Sequence, residues 1–215
     1  KTRLHNFHIN MKIKKTILMT ALSLAICGCA TQKNGNPLLS EFDTPYGIAP
    51  FSKITIDNYR EGMLRGMEEQ KAEIEAMIDN SEEPTFENTI VALDRSGKLL
   101  SRVRGTFSPL SSSNSTEEMR ALQKEMSPLF SAHSDDIYLN ERLFARVKAV
   151  YDNKQALNLT AEQKKILENI YDRFVNSGAE LSDTDKARLR ELNKEISMLQ
   201  LEFSQNLLYE TNNTF

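Results

Sequence analysis

From Ile54 onward the apolar residues of this chain return every three or four positions, and that spacing limits the fold more than any other feature. Between Ser182 and about Glu210 the series Leu189, Leu192, Ile196, Leu199, Phe203 and Leu207 shows it plainly. Side chains at this interval share one face of an α-helix, whereas a strand needs strict alternation. Tyr59, Met63, Leu64, Met67, Ile74, Met77 and Ile78 follow a helical face between Asp57 and about Asn80, with Glu68, Glu69, Lys71, Glu73 and Glu75 on the rest. With 8 Gly and 6 Pro in 215 residues, composition argues for long helices over a turn-rich β fold. The expectation is an all-α chain of five or six helices.

Local signals set the expected boundaries. Pro84 stops the segment before it, Thr85 can cap the next helix, and Glu87 puts a carboxylate in its first turn. That helix carries Phe86, Ile90, Leu93, Leu100 and Val103, with Gly97 either a close helix contact or a weak point. Ser111–Asn114 reads as a loop, and Ser115-Thr116-Glu117-Glu118 as a capping box opening a third helix. Pro128 predicts a kink or break near Ser127, and Asp135 or Asp136 a new start. Thr160-Ala161-Glu162-Gln163 is a further capping box, and Gly178 suits the position just past that helix. The last segment fits a coiled coil or, better, a long helix in a hairpin with its predecessor.

The net charge of −3 hides an asymmetry. Lys1, Arg3, Lys12, Lys14 and Lys15 fall within residues 1–29, which hold no acid, so the remainder is distinctly acidic. An acidic body without a basic stripe argues against nucleic acid as a partner. Met11-Lys12-Ile13-Lys14-Lys15 and the apolar stretch Ile17–Ile26 form a targeting segment, too short to span a bilayer. Ile26-Cys27-Gly28-Cys29-Ala30 resembles the bacterial lipobox, which implies cleavage before Cys29 and its lipidation. The alternative is a chance Cys-x-Cys in a plain signal peptide. Under the lipobox reading the protein is held at the membrane by a lipid anchor in the bacterial cell envelope. Residues 1–29 are then extension and signal, 30–52 a tether and entry segment, and 53–215 a helical domain. Met11 is the favoured start, and the apolar seam running up to Phe215 reads as a truncated product.

No catalytic set emerges from the residues. Of three histidines, His5 and His8 lie before Met11, leaving His133 alone in the body. An H-E-x-x-H zinc site needs two histidines one helical turn apart, and none exists. His133 is therefore expected at a helix end or on the surface. There is no phosphate loop or EF-hand pattern, and Glu68-Glu69 and Glu117-Glu118 read as solvated helix faces.

Several separated stretches do point in one direction: Asn36-Pro37-Leu38-Leu39, Thr44-Pro45-Tyr46-Gly47, Gly62-Met63, the run Pro84-Thr85-Phe86-Glu87-Asn88-Thr89-Ile90, His133-Ser134-Asp135 and Phe203-Ser204-Gln205-Asn206. In this order they resemble the N-terminal region of the thimet oligopeptidase family of metallopeptidases, in its peptidyl-dipeptidase and oligopeptidase A branch. The resemblance covers roughly residues 36–215. It implies a helical wall beside a deep channel that admits short peptides, with one zinc bound by a later catalytic half. It supplies no catalytic or metal residue here, and gives Pro84, Thr85, Phe86, Glu87, Asn88 and Thr89 a structural role. The alternative is an independent lipid-anchored helical module that binds a peptide or a protein.

Overall fold

The computed structural model describes residues 35–214. Cys29, the lipobox and the signal segment lie outside the described residues. Helix α1 spans Ile56–Ile78, and a π-helical segment, Phe86–Val91, runs into the short α2, Ala92–Arg95. Then follow α3 (Lys98–Ser113), α4 (Glu117–Tyr138), α5 (Glu141–Asp152), α6 (Ala161–Asn176) and α7 (Asp183–Thr214). The fold is all-α, with no strand among the described residues. None of the described helices is long and apolar enough to cross a membrane.

Asn36–Phe215 forms one compact unit, and it contains two apolar cores. One gathers Tyr59 and Met63 of α1, Val103 and Phe107 of α3, and Leu122 and Met126 of α4. The other gathers Ile74 and Met77 from the far end of α1, Phe86 and Ile90, Leu143 and Val147 of α5, and Leu167 and Phe174 of α6. Helix α1 thus serves both cores along its 23 residues. The described part of the entry segment, from residue 35 on, is tied to the helices. Leu38 is fully buried in the first core, Asn36 Nδ2 donates to Asn58 O at 2.7 Å, and Arg102 Nε donates to Leu38 O at 3.2 Å.

Two glycines of α1 let α3 come close. A Cβ on Gly62 would lie 3.0 Å from Val103 Cγ2, and one on Gly66 would lie 2.8 Å from the Leu100 backbone. Gly62 and Gly66 are four apart and so share a face. Helix α1 thus packs closely on α3, and both share the first core with α4. Between α2 and α3 the chain breaks at Ser96 and Gly97, where Gly97 adopts φ 70°. Gly97 is therefore both a close contact and a break, since a Cβ there would lie 2.5 Å from Gln70 Cδ.

Several local expectations fail for identifiable reasons. Ser111, Ser112 and Ser113 are the last turn of α3, because each hydroxyl donates back to a carbonyl three or four residues earlier. Thr116, rather than Ser115, caps α4 by accepting from Met119 N. Pro128 does not interrupt α4. The carbonyl it leaves unpaired belongs to exposed Lys124, within reach of water, while Leu122, Met126 and Ile137 anchor the helix on both sides. Asp135 and Asp136 start no helix; their carboxylates bond across to Asn193 and Arg190 of α7, and Asn140 caps α5.

The cap at Thr160 forms as expected, with Thr160 and Gln163 bonded reciprocally. Gly178, at φ 94°, closes α6 in a Schellman turn: Ala179 N donates to Phe174 O and Gly178 N to Val175 O. Helix α7 packs along α4 instead of forming a hairpin with α6. Ser127 Oγ donates to Ser197 O at 3.1 Å, Arg190 pairs with Asp136 at 2.8 Å, and Asn193 Nδ2 donates to Asp135 Oδ1 at 2.7 Å.

Burial raises the Asp135 carboxyl above its usual range, against the lowering pull of the Asn193 bond and Arg190. Folding therefore favours the protonated form, and stability from this group is full below the unfolded value of 3.8 and lost as pH rises through the raised folded value. Asp135→Asn keeps an acceptor for Asn193 without the buried charge. Its melting temperature relative to the wild type should climb between pH 3.5 and pH 7. A constant difference across that range would show that Asp135 is not the group responsible.

Candidate functional site

The run Pro84–Ile90 is built around Asn88. Thr85 Oγ1 accepts from Asn88 N at 3.0 Å, and Asn88 Oδ1 accepts from Thr85 N at 2.8 Å, a reciprocal cap of the kind more often seen with Glu or Gln at this position. The same Oδ1 also accepts from Thr89 Oγ1 at 2.9 Å and from Arg146 Nη2 at 3.3 Å. Asn88 Nδ2 donates to Glu83 O at 2.9 Å, which ties the turn before the helix to the turn that opens it. Arg146, buried on α5, donates its Nη1 to Asn80 O at 2.8 Å and to Glu82 O at 3.3 Å. One guanidinium therefore gathers the whole connection between α1 and the π-helical segment. Phe86, Thr89 and Ile90 are buried, whereas Glu87 is exposed in the first turn and faces no reacting group. The π-helical widening itself is visible in Ala92 N, which donates back to Glu87 O five residues earlier.

A second feature is a cleft of about 780 Å³ where α3, α4 and α6 meet the Ser96–Gly97 break. His133 lies on its wall, and it is neither at a helix end nor free on the surface. It sits inside α4, half-buried, with Nε2 2.8 Å from Gln70 Oε1. Gln70 Nε2 donates to Ser96 Oγ at 3.1 Å, and that hydroxyl donates to Leu93 O at 2.9 Å. Because the serine must donate to a carbonyl, it accepts from the Gln70 amide. Gln70 Oε1 then faces the imidazole, and His133 donates through Nε2–H. Burial lowers the His133 pKa, and nearby Arg104 and Lys71 act in the same direction against Asp136. The neutral ring with a bare Nδ1 is the resulting form at neutral pH.

Two arginines flank the cleft. Arg104 of α3 lies over the Phe130 ring at 4.6 Å, and Arg173 of α6 over the Tyr138 ring at 4.4 Å. Tyr138 begins a ladder of rings that runs through Phe174, Phe144 and Tyr171 to Tyr151, with neighbouring centroids 3.8 to 5.8 Å apart. The ladder fixes α6 on α5 and so holds Arg173 at the cleft edge. Sequence reasoning missed Gln70, Arg104, Arg146 and Arg173, since their partners lie on other helices. The one available signal was the pair Gly62 and Gly66, which marks a close helix crossing.

The donor set here does not fit zinc. Among the described residues no three His, Cys, Asp or Glu side chains come together as a metal site.

Over 173 residues, 80% of its length, the chain is 40% identical to the dipeptidyl carboxypeptidase of Salmonella typhimurium. The Escherichia coli dipeptidyl carboxypeptidase is 39% identical over 173 residues. The chain belongs to the thimet oligopeptidase family. Oligopeptidase A of Escherichia coli is a more distant relative, 27% identical over 176 residues. No protein-family model matches the chain. The chain spans about a quarter of the length of these relatives, 25% in each case, and corresponds to the N-terminal portion of thimet oligopeptidase family members. That family is one of peptide-hydrolysing metallopeptidases. For this member the described residues supply helices, a buried Arg146 clamp and a cleft.

Proposed function

We propose that this chain is the channel-wall part of a lipid-anchored zinc metallopeptidase that hydrolyses short peptides in the manner of a peptidyl-dipeptidase. The observation that carries this reading is the 40% identity to a dipeptidyl carboxypeptidase across 80% of the chain. The surface of α7 supports it. Ile196, Leu199, Phe203 and Leu207 are 47%, 56%, 69% and 58% exposed along one side of the helix. An apolar seam of that length on a single helix is the kind of surface that further polypeptide covers. Zinc would be held outside the described residues, polarising the scissile carbonyl and activating water for attack. Cys29 would carry the lipid that holds the enzyme in the cell envelope.

The test is a polypeptide joining this chain to whatever its reading frame encodes next. It should contain an H-E-x-x-H helix, release dipeptides from short peptides, lose that activity to a chelator and regain it with zinc. Cys29→Ser should abolish incorporation of labelled palmitate. Zinc-dependent hydrolysis by residues 1–215 alone, or a continuous downstream frame without H-E-x-x-H, overturns the reading. In the second case the helical module that only binds peptide or protein takes its place.

A further inference from the structure

We propose that Tyr46, Ile48 and Phe51 form a membrane-docking face, which seats the entry segment on the zwitterionic lipid surface that holds the Cys29 anchor. This rests on the lipid-anchored reading above and adds to it the residues that meet the bilayer. Tyr46 is 99% exposed, Ile48 58% and Phe51 47%, while Ala49 among them is buried and turns inward. Tyr46 also holds φ 63°, the one positive φ at a non-glycine position among the described residues. A side chain strains the backbone there, and a ring so exposed makes no packing contact that would offset the strain. The turn is nonetheless fixed. Gly47 N donates to Thr44 O at 3.0 Å, Thr44 Oγ1 donates to Ile48 O, and Phe51 N donates to Ala49 O at 2.8 Å. A ring held outward by a pre-formed turn loses little freedom when it docks.

The tether decides the occupant. Asn36 is bonded to Asn58 O of α1 and Leu38 is buried in the first core, so the folded body begins there. From Cys29 to Asn36 the chain reaches about 25 Å at full extension. A lipid on Cys29 therefore keeps the entry segment beside the bilayer, and inserting a few side chains becomes an intramolecular step. Even a single acyl chain binds a membrane only marginally, so a face of this size would not hold by itself but suffices once the anchor is in place. The residue types agree with a lipid surface. Ile48 and Phe51 are apolar, Tyr46 has an apolar ring with a polar tip suited to the headgroup level, and exposed Lys53 can lay its stem beside them with its amine in water. Glu41 and Asp43 are exposed in the same segment and outnumber that lysine, so its charge does not favour anionic lipid. Apolar insertion into a zwitterionic surface is the mode that remains.

The chain has no Trp, so Tyr46→Trp puts a single fluorescent reporter in the turn. In a Cys27→Ser background, Cys29 of the full 215-residue chain is coupled to maleimide-headgroup lipid in phosphatidylcholine vesicles. The indole emission should shift to the blue on coupling, and bromine on the acyl chains should quench it. Adding Ile48→Glu and Phe51→Glu should abolish both changes, and adding phosphatidylglycerol should not increase them. Tyr209→Trp, at a position on α7 that is 68% exposed, should stay unquenched. An unquenched indole at position 46, equal quenching from position 209, quenching that survives both glutamates, or quenching that needs anionic lipid would each overturn the proposal. The same reporter in the polypeptide extended through its reading frame should also be quenched. An indole there that is blue without vesicles and indifferent to bromine would mean that later polypeptide covers the face, and would overturn the proposal too. The coupling is chemical and does not need the cell to lipidate Cys29. Palmitate labelling therefore tests the anchor and bromine tests the face, and either can fail alone.

Discussion

Arg146→Met should lower the melting temperature by roughly 10 °C and open the connection between α1 and the π-helical segment to proteases. The Arg146 guanidinium donates to Asn80 O, Glu82 O and Asn88 Oδ1 from a position only 9% exposed. Met keeps the length and the apolar stem but removes the donor from the Asn80 and Glu82 carbonyls and one of three donors from Asn88 Oδ1, which retains Thr85 N and Thr89 Oγ1. Bonds from a charged donor contribute about 1.5–3 kcal/mol each, and losing the buried charge gives some of that back. A net loss of about 2–3 kcal/mol corresponds to that shift in a chain of this size. Cleavage should concentrate between Asp79 and Thr85, because Arg146 ties that stretch to α5. A melt unchanged within about 2 °C would show that the clamp is dispensable. The same outcome would reduce the Pro84–Ile90 run to a cap at Thr85 and Asn88.

The second large effect comes from a single methyl group. Gly66→Ala should destabilise the protein by about 2–3 kcal/mol, at the upper end of overpacking costs. Its Cβ would sit 2.8 Å from both the Cα and the N of Leu100. Those are backbone atoms of α3, so no rotamer change relieves the clash and the two helices must separate. Val103 and Leu100, packed on α1, would then lose contact together. Gly105→Ala is the matched control, since a Cβ there meets nothing within 4 Å. Mid-helix alanine is favoured over glycine by up to about 1 kcal/mol, so this variant should melt slightly higher than the wild type. If both alanines shift the melt in the same direction, helix propensity dominates over the α1–α3 contact.

Asn88 illustrates how much of the candidate site is readable in one dimension. Thr85 as a cap and Pro84 as a stop follow from residue type and spacing alone. That Asn88 closes the cap is not read from the sequence, because Glu or Gln is the usual partner at this position. That Asn88 also receives Arg146, 58 residues later, has no local signature. His133 shows the same division. Its isolation among the histidines leaves no H-E-x-x-H pair in the sequence, yet its tautomer depends on Gln70, 63 residues earlier, and its depressed pKa on burial within the fold.

Pro128 and the pair Asp135 and Asp136 mark where local rules gave the wrong boundary. A proline and two acids in sequence suggest an end and a new start. In the folded chain Pro128 falls where its orphaned carbonyl can reach water. Both aspartates are committed to α7 through Asn193 and Arg190, so nothing local remains to end the helix before Tyr138.

By itself the sequence determined the all-α class, most helix faces, the caps at Thr85 and Thr160, and the Gly178 turn. Each depends on groups within about one helical turn, where backbone geometry fixes which side chains can meet. It also held enough of the thimet oligopeptidase pattern to place the chain in that family. Tertiary structure alone decided which helices pair, so that α7 lies on α4 and α3 lies in the Gly62–Gly66 groove. It alone assembled Arg104, Arg173, His133 and Gln70 around one cleft. Helical periodicity states which face is buried but not against what, because any apolar face of matching length satisfies it. That choice falls to the shape of the meeting surfaces and to polar bonds between residues far apart in the chain.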